Sequence, residues 1–330
     1  DVPGPFFPTL LLPIDSVEAA DHRTVIFRLK QPYIDLRLAL AHMAMVIHPQ
    51  SKIENDPDYF LHPVSAGPYV LKKWIPGAST WTIEANPHYV RGAMAINQIE
   101  LVSVPDPTSR VLQLVSGSID YVYELPVSAQ ALMPEEVTTH KVPLNGQYFF
   151  GVNHGLPSNH PLRNAKVRQA FSLAINREEI NQKAFGGIST PAKGFQYPGP
   201  KEGLDNLPFK GRRNLEAARE LLAQTPFAKG FRTILHSYGQ RPGWTDAALV
   251  IASNLKDLGI EVQVSPVEDS VATSDARAGR YEMIFSGNSS GPINFFRNMW
   301  IPGTFWAEVL RYNSPEVISL VNAASKSKNF

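Results

Sequence analysis

Gly287-Asn288-Ser289-Ser290-Gly291 carries a spacing that nucleophilic chemistry would use. It matches G-x-S-x-G, in which a serine sits on a sharp turn between strand and helix. The apolar run Tyr281 to Phe285 precedes it, and Pro292 is placed to open a helix. Such a serine needs a histidine to take its proton and an acid to orient that histidine, and in the α/β-hydrolase order both come later in the chain. Beyond Ser289 there is no histidine and no aspartate. A serine hydrolase using Ser289 therefore stands as an alternative that would have to borrow an upstream histidine.

Other chemistries leave less trace. The nine histidines, His42, His48, His154 and His160 among them, form no H-E-x-x-H and no compact set with carboxylates at ligand spacing, so no metal centre is expected. The absence of cysteine removes disulfides, thiolate metal sites and cysteine nucleophiles together. Neither G-x-G-x-x-G nor a P-loop occurs, so nothing is built to cradle a nucleotide phosphate, and no cofactor is expected. The pairs Glu135-Glu136 and Glu178-Glu179 read as helix-terminal or solvated. Against 31 Lys and Arg stand 30 Asp and Glu, a net charge of +1 that generates no field to gather nucleic acid or an acidic membrane. The cluster Lys210 to Arg213 reads as a solvated loop. What remains is binding. Asn288, Ser289 and Ser290 follow a predicted strand end, where ligands of α/β folds sit, and are expected to form a polar rim.

The elements that would position such a rim can be read from spacing. Thr24 to Leu29 alternates as a half-buried strand that Pro32 ends. Tyr69 to Trp74 and Thr80 to Ala85 flank Pro76-Gly77 and predict a β-hairpin. Asp106-Pro107 and Gly117 bound a helix over 107 to 116, with a strand expected over Ile119 to Glu124. The rhythm then changes to strands alternating with helices: Phe149 to Asn153, a helix from about Ala165, and Phe231 to Tyr238. Asn176 with Glu179 forms a capping-box pattern for a helix that Gly186-Gly187 can close, and Asn214 can cap another. Trp244, Ala248, Ile251, Leu255 and Leu258 share one helical face, which stops at Gly259 and leads straight into the alternating strand Ile260 to Val264.

With 330 residues, 43% hydrophobic and 18% charged, the chain is globular and long enough to divide into two lobes. The change of rhythm near Gly146 to Phe150 marks the expected boundary, giving 1–147 as a partial first lobe and 148–330 as a second α/β lobe. Leu36 to Ile47, the most apolar stretch, carries Arg37 and His42 and falls short of the ~20 residues a membrane span needs. Asp1-Val2-Pro3-Gly4-Pro5 reads as the start of a cut piece.

Four stretches, in order, carry a resemblance. The most specific is Ser65-Ala66-Gly67-Pro68-Tyr69-Val70-Leu71 with Trp74, Pro76-Gly77 and Asn86-Pro87-His88-Tyr89-Val90-Arg91-Gly92. Pro105-Asp106 with Arg110 and Ser116 to Asp120 follow, then Lys166 to Ala170 with Ala174 to Arg177, and then Leu255 to Val264. Together these resemble the solute-binding proteins of ABC importers for dipeptides, oligopeptides and nickel complexes, bacterial family 5, with its G-P-Y-x-L and N-P-x-Y-x-R-G hairpin.

The resemblance implies an α/β fold of the two-lobed periplasmic-binding-protein type (type II, dipeptide-binding), each lobe a mixed sheet flanked by helices, truncated at both ends. It also implies lobes that close by a hinge near Gln147 to Phe150, a periplasmic or membrane-tethered extracellular location, importer membrane subunits as partners, and a monomer in the full-length form. In the dipeptide-binding branch an arginine in a Q-R-P segment pairs with the ligand carboxylate; here that segment is Gln240-Arg241-Pro242. Where that branch holds the ligand's ammonium with an aspartate, this chain has Asn288, which accepts a hydrogen bond without neutralising a charge. An unpaired buried ammonium costs roughly several kcal/mol, so a ligand with an anionic end and a neutral polar end is expected, peptide-like or opine-like. Tyr238, Trp244, Phe295, Phe296 and Trp300 are candidate walls. A metal-chelate carrier, also within the resembled family, would have little need of Arg241.

Overall fold

The computed structural model describes residues 11, 13–42, 45–142, 146–194, 211–289 and 292–327. It divides into two compact units, His42–Ile119 and the pair of segments Asp1–Ala41 and Asp120–Phe330. The larger opens with the antiparallel hairpin β1 (Ile14–Ala19) and β2 (Val25–Leu29), in which Val17 opposes Phe27, and continues through the short helix α1 (Leu36–Leu40).

The smaller unit holds the short helix α2 (Gln50–Asn55), an antiparallel sheet β3 (Tyr69–Lys73), β4 (Thr80–Ala85) and β5 (Gln98–Val102), and helix α3 (Pro107–Val115). Its hairpin is the one predicted, with Tyr69 opposite Ala85 and Gly77 at φ +82° in the turn, a conformation that glycine adopts without steric cost. The Asn86 amide closes the base of that hairpin by donating to the carbonyls of Ser65 and Gly67. Asp106 caps α3 by accepting from the Ser109 N–H at 2.7 Å.

The larger unit resumes with β6 (Gly146–Val152), α4 (Ala165–Ala174), α5 (Arg177–Phe185), α6 (Leu215–Ala223), β7 (Arg232–Tyr238), α7 (Trp244–Lys256), β8 (Glu261–Val267) and α8 (Asp269–Ala278). After these come β9 (Met283–Ser289), α9 (Pro292–Trp300), α10 (Phe305–Leu310) and α11 (Pro315–Ser325). Residues 147 to 150 lie inside β6. The sheet order is β6-β9-β7-β8, with β7 parallel to both β8 and β9 and β6 antiparallel to β9. The predicted face of α7 supplies the core: Ala248, Ile251 and Leu255 are buried against Leu235, Ile260 and Met283. Fully burying a side chain of the size of Ile251 or Leu255 contributes about 1.5–3 kcal/mol.

Two local expectations change. Residues 119 to 124 form no strand, because Glu124 takes φ +61°, which breaks an extended run, and Tyr121 and Tyr123 stand exposed. The capping box at α5 is half made. Asn176 accepts from the Glu179 N–H at 3.2 Å, but the Glu179 carboxylate turns to Lys183 and Asn254, and the Asn254 amide oxygen takes the Asn176 N–H instead.

From β7 the chain crosses by α7 to β8 on one side, and by α8 it returns to β9 on the other. Crossovers that leave neighbouring strands in opposite directions, as here from β7 and β8, mark the carboxyl ends of those strands as the usual place for a ligand in α/β folds. The residues just past Tyr238 and Val267 therefore sit where a ligand site of such a fold belongs.

Candidate functional site

The turn after β7 places Arg241. Its N–H donates to the Tyr238 carbonyl at 3.2 Å, its own carbonyl accepts from the Trp244 N–H at 3.2 Å, and the Gly239 N–H reaches the Val267 carbonyl at the end of β8. Gly243, at φ +77°, leads into α7. A Cβ there would lie 2.5 Å from the Ala184 carbonyl oxygen, so only glycine lets this turn close on the end of α5.

The Arg241 guanidinium is held from one side. Its Nε donates to Asp269 Oδ2 at 2.7 Å, while on the Nη side Glu124 Oε1 lies at 3.8 Å, an ion pair too long for a hydrogen bond. Its side chain keeps 46% of its surface exposed. A guanidinium fixed at Nε, with no hydrogen bond at its Nη edge among the described residues, presents the fork that carboxylates fit.

Aromatic rings surround that turn. Trp244 lies 5.8 Å below the Arg241 Cζ and meets Tyr238, Tyr148 and Phe285 edge-on, and Tyr148 stacks on Phe185 at 4.9 Å. Tyr238 is buried, whereas Tyr148 is 42% exposed. Burial pushes both phenols above the usual tyrosine range, which keeps them neutral donors. Trp244 also packs into both core clusters, so it supports the site and the interior at once.

The β9 end is arranged differently. Asn288 is buried, donates from Nδ2 to the Phe295 carbonyl at 3.0 Å and accepts from Asn298 Nδ2 at 3.2 Å. Its amide ties β9 to α9. Ser289 closes the strand opposite Gly146 and is exposed, while Ser290 lies outside the described residues. Phe295 has no exposed surface and meets Phe296 edge-on; Trp300 packs on Tyr312. The structure thus gathers Arg241, Tyr238 and Trp244 and places Asn288, Phe295 and Trp300 around α9. His236, the histidine of this sheet's strands, pairs in register with Ile284, so Ser289 lies five residues further, roughly 16 Å along the strand.

Tyr148, Phe185, Glu124 and Asp269 escaped the sequence analysis. For Asp269 no local signal existed: it is the parallel register of Tyr238 with Val267, a tertiary pairing, that brings the two following turns together. Elsewhere, a hollow of about 290 Å³ is lined in part by Asn176, Lys193 and Arg213. Arg213 there is engaged by the Ala174 carbonyl and by Asp257, so it is a structural residue and no solvated loop cation. Among the described residues no three His, Asp or Glu side chains gather as a metal site, and no helix is long and apolar enough to cross a membrane.

This sheet, with its crossover helices and cationic turn, is that of an α/β protein. The chain belongs to the bacterial extracellular solute-binding proteins of family 5, whose middle-region model matches residues 2–305. It is 26% identical over 294 residues to the glutathione-binding protein GsiB of Salmonella paratyphi A, covering 88% of this chain and 55% of that one. The chain thus spans about half the length of the curated relatives it matches. NikA of Staphylococcus aureus, solved with Ni(L-His)2, superposes with a TM-score of 0.82 at 21% identity, over 97% of this chain and 68% of that one. AgaA of A. tumefaciens R10, solved with agropinic acid, gives 0.78 at 22%, over 100% and 68%. The fold is the α/β fold of the dipeptide-type periplasmic binding proteins.

Proposed function

We propose that this chain belongs to the ligand-capturing component of an ABC importer and takes a small polar solute with an anionic end, peptide-like or opine-like, without making or breaking a bond. One observation carries the proposal: Arg241, over the supporting Trp244, is anchored at Nε by Asp269 while its Nη edge makes no hydrogen bond among the described residues. The ligand's anionic end takes that edge, Tyr148, Tyr238 and Trp244 form the wall, and Ser289 and Ser290 contribute to a polar rim. Asn288, Phe295 and Trp300 shape that rim through α9. Capture proceeds by closure of two lobes, with the crossing at 147–150 and the lobes at 1–147 and 148–330. The whole protein works outside the cytoplasmic membrane, periplasmic or tethered, as a monomer that delivers to importer membrane subunits.

Native mass spectrometry of the whole protein, purified without added ligand, identifies the solute, and calorimetry then compares the parent with Arg241→Ala. The expected result is a loss of about tenfold or more, the scale of a charge-assisted bidentate pair. Full affinity after Arg241→Ala would favour a metal-chelate carrier, and labelling of Ser289 by an active-site serine probe would favour a hydrolase.

A further inference from the structure

The two carboxylates beside Arg241 are not equivalent. Asp269 makes a 2.7 Å hydrogen bond to Nε and is 24% exposed, as the first residue of α8. Glu124 faces the Nη edge at 3.8 Å, makes no hydrogen bond to it, is 35% exposed and belongs to neither strand nor helix. Its φ of +61° is one that non-glycine residues adopt at a cost, yet it brings a carboxylate to the edge a ligand anion would use. Three residues on, Val127 seats its Cγ1 against Gly186, where a Cβ would lie 2.1 Å away. The segment is thereby pinned to the end of α5, and Glu124 stays near Arg241.

We propose that Glu124 is a specificity-determining residue, a built-in competitor that occupies the Nη side of Arg241 until a ligand carboxylate displaces it. This rests on Arg241 being the anion anchor. Since Asp269 already balances the Arg241 charge, Glu124 leaves the cluster with one negative charge in excess. An incoming anion meets that charge unless Glu124 swings out. Nothing regular is broken when it does so, because the residue contributes to no ladder or helical turn. A single flat carboxylate trades one for one with Glu124, whereas a dianionic head such as phosphate feels any residual repulsion twice over. The site is thereby biased toward monocarboxylates. Tyr123 and Tyr148 are the titratable neighbours on that side, with Asp269 on the other.

Two probes test this on the 330-residue chain at low salt and about pH 8, where inorganic phosphate is mostly the dianion: benzoate, whose ring suits the aromatic wall, and inorganic phosphate, both followed by calorimetry. Glu124→Gln should bind benzoate about fivefold tighter, the effect of one charge a few ångströms away in a wet site, and should gain more for phosphate. Both gains should shrink as salt rises. Glu124→Asn, whose side chain tolerates positive φ, repeats the charge removal should the glutamine variant fold poorly. Arg241→Gln should lose both probes. If Arg241→Gln loses them while neither Glu124 variant binds more tightly than the parent, the competitor is refuted and the anchor stands. If Arg241→Gln binds as the parent does, or if neither probe binds the parent or the Glu124 variants, the anchor and the competitor both fall.

Discussion

Arg241 and Asp269 meet at 2.7 Å because they follow paired positions of two parallel strands, Arg241 three residues past Tyr238 and Asp269 two residues past Val267. Parallel strands end side by side, so their following turns converge at the carboxyl edge of the sheet. A ligand anchor on the first turn therefore receives its orienting acid from the second.

Asp269→Ala should consequently loosen Arg241 more than it unfolds the protein. With Arg241 nearly half exposed, the stability loss is expected at about 1 kcal/mol or less in urea denaturation. In nitrogen-edited NMR of the arginine side chains, the Arg241 Nε–H signal should be protected in the parent and exchange-broadened in the variant.

Asn288→Asp tests the junction of β9 and α9. The new carboxylate would face the Phe295 carbonyl in a buried site, and the expected cost is about 2–4 kcal/mol at neutral pH. Such burial raises the folded-state pKa of the introduced acid. The penalty should therefore grow as pH rises from the ordinary aspartate range and be relieved on acidification, when the protonated acid can donate to the carbonyl. Urea midpoints across that range give the sign.

Gly186 and Val127 should show strong coupling. Gly186→Ala combines a left-handed backbone with a methyl placed 2.1 Å from Val127 Cγ1, and should cost about 1–3 kcal/mol. Adding Val127→Ala should return the steric part but not the backbone part, so a double-mutant cycle gives a non-zero interaction energy.

His154 should make stability fall with acid. Burial first, then the charges of Arg168 and Arg163, hold its pKa down to about 4 against an ordinary 6.5. Between those values the unfolded chain binds a proton that the folded chain does not, so this stability is complete above about 6.5 and is lost toward 4. The ring is partly exposed and packs edge-on against Tyr312, so the effect is on the order of 1–2 kcal/mol. His154→Gln should flatten that slope in urea titrations at pH 7 and 4.5.

Asp35 caps a helix 259 residues away in sequence: its Oδ2 accepts from the Asn294 N–H at 2.7 Å, in the third residue of α9, with no exposed surface. Tyr33 donates to Asn294 Oδ1 at 2.7 Å alongside it. Asp35→Ala should cost about 2–4 kcal/mol by orphaning that buried donor, and hydrogen exchange at Asn294 should accelerate before that of β7.

Sequence alone determined much of this protein, because much of it is local. The Asp106 cap, the hairpin about Pro76-Gly77 and the passage from α7 through Gly259 into β8 are each decided by residues a few positions apart, through capping, turn geometry and periodicity. Arg241 was marked differently, by the likeness of Gln240-Arg241-Pro242 to a family segment, and a three-residue turn presents it beyond its strand. Only the tertiary structure decided that the Asn288 amide is turned inward to α9, that Phe295 is core, and that Glu124 and Asp269 flank the guanidinium. Those outcomes follow from strand order and from contacts between residues far apart in sequence, such as Asp35 and Asn294, 259 positions apart, and local patterning does not encode them.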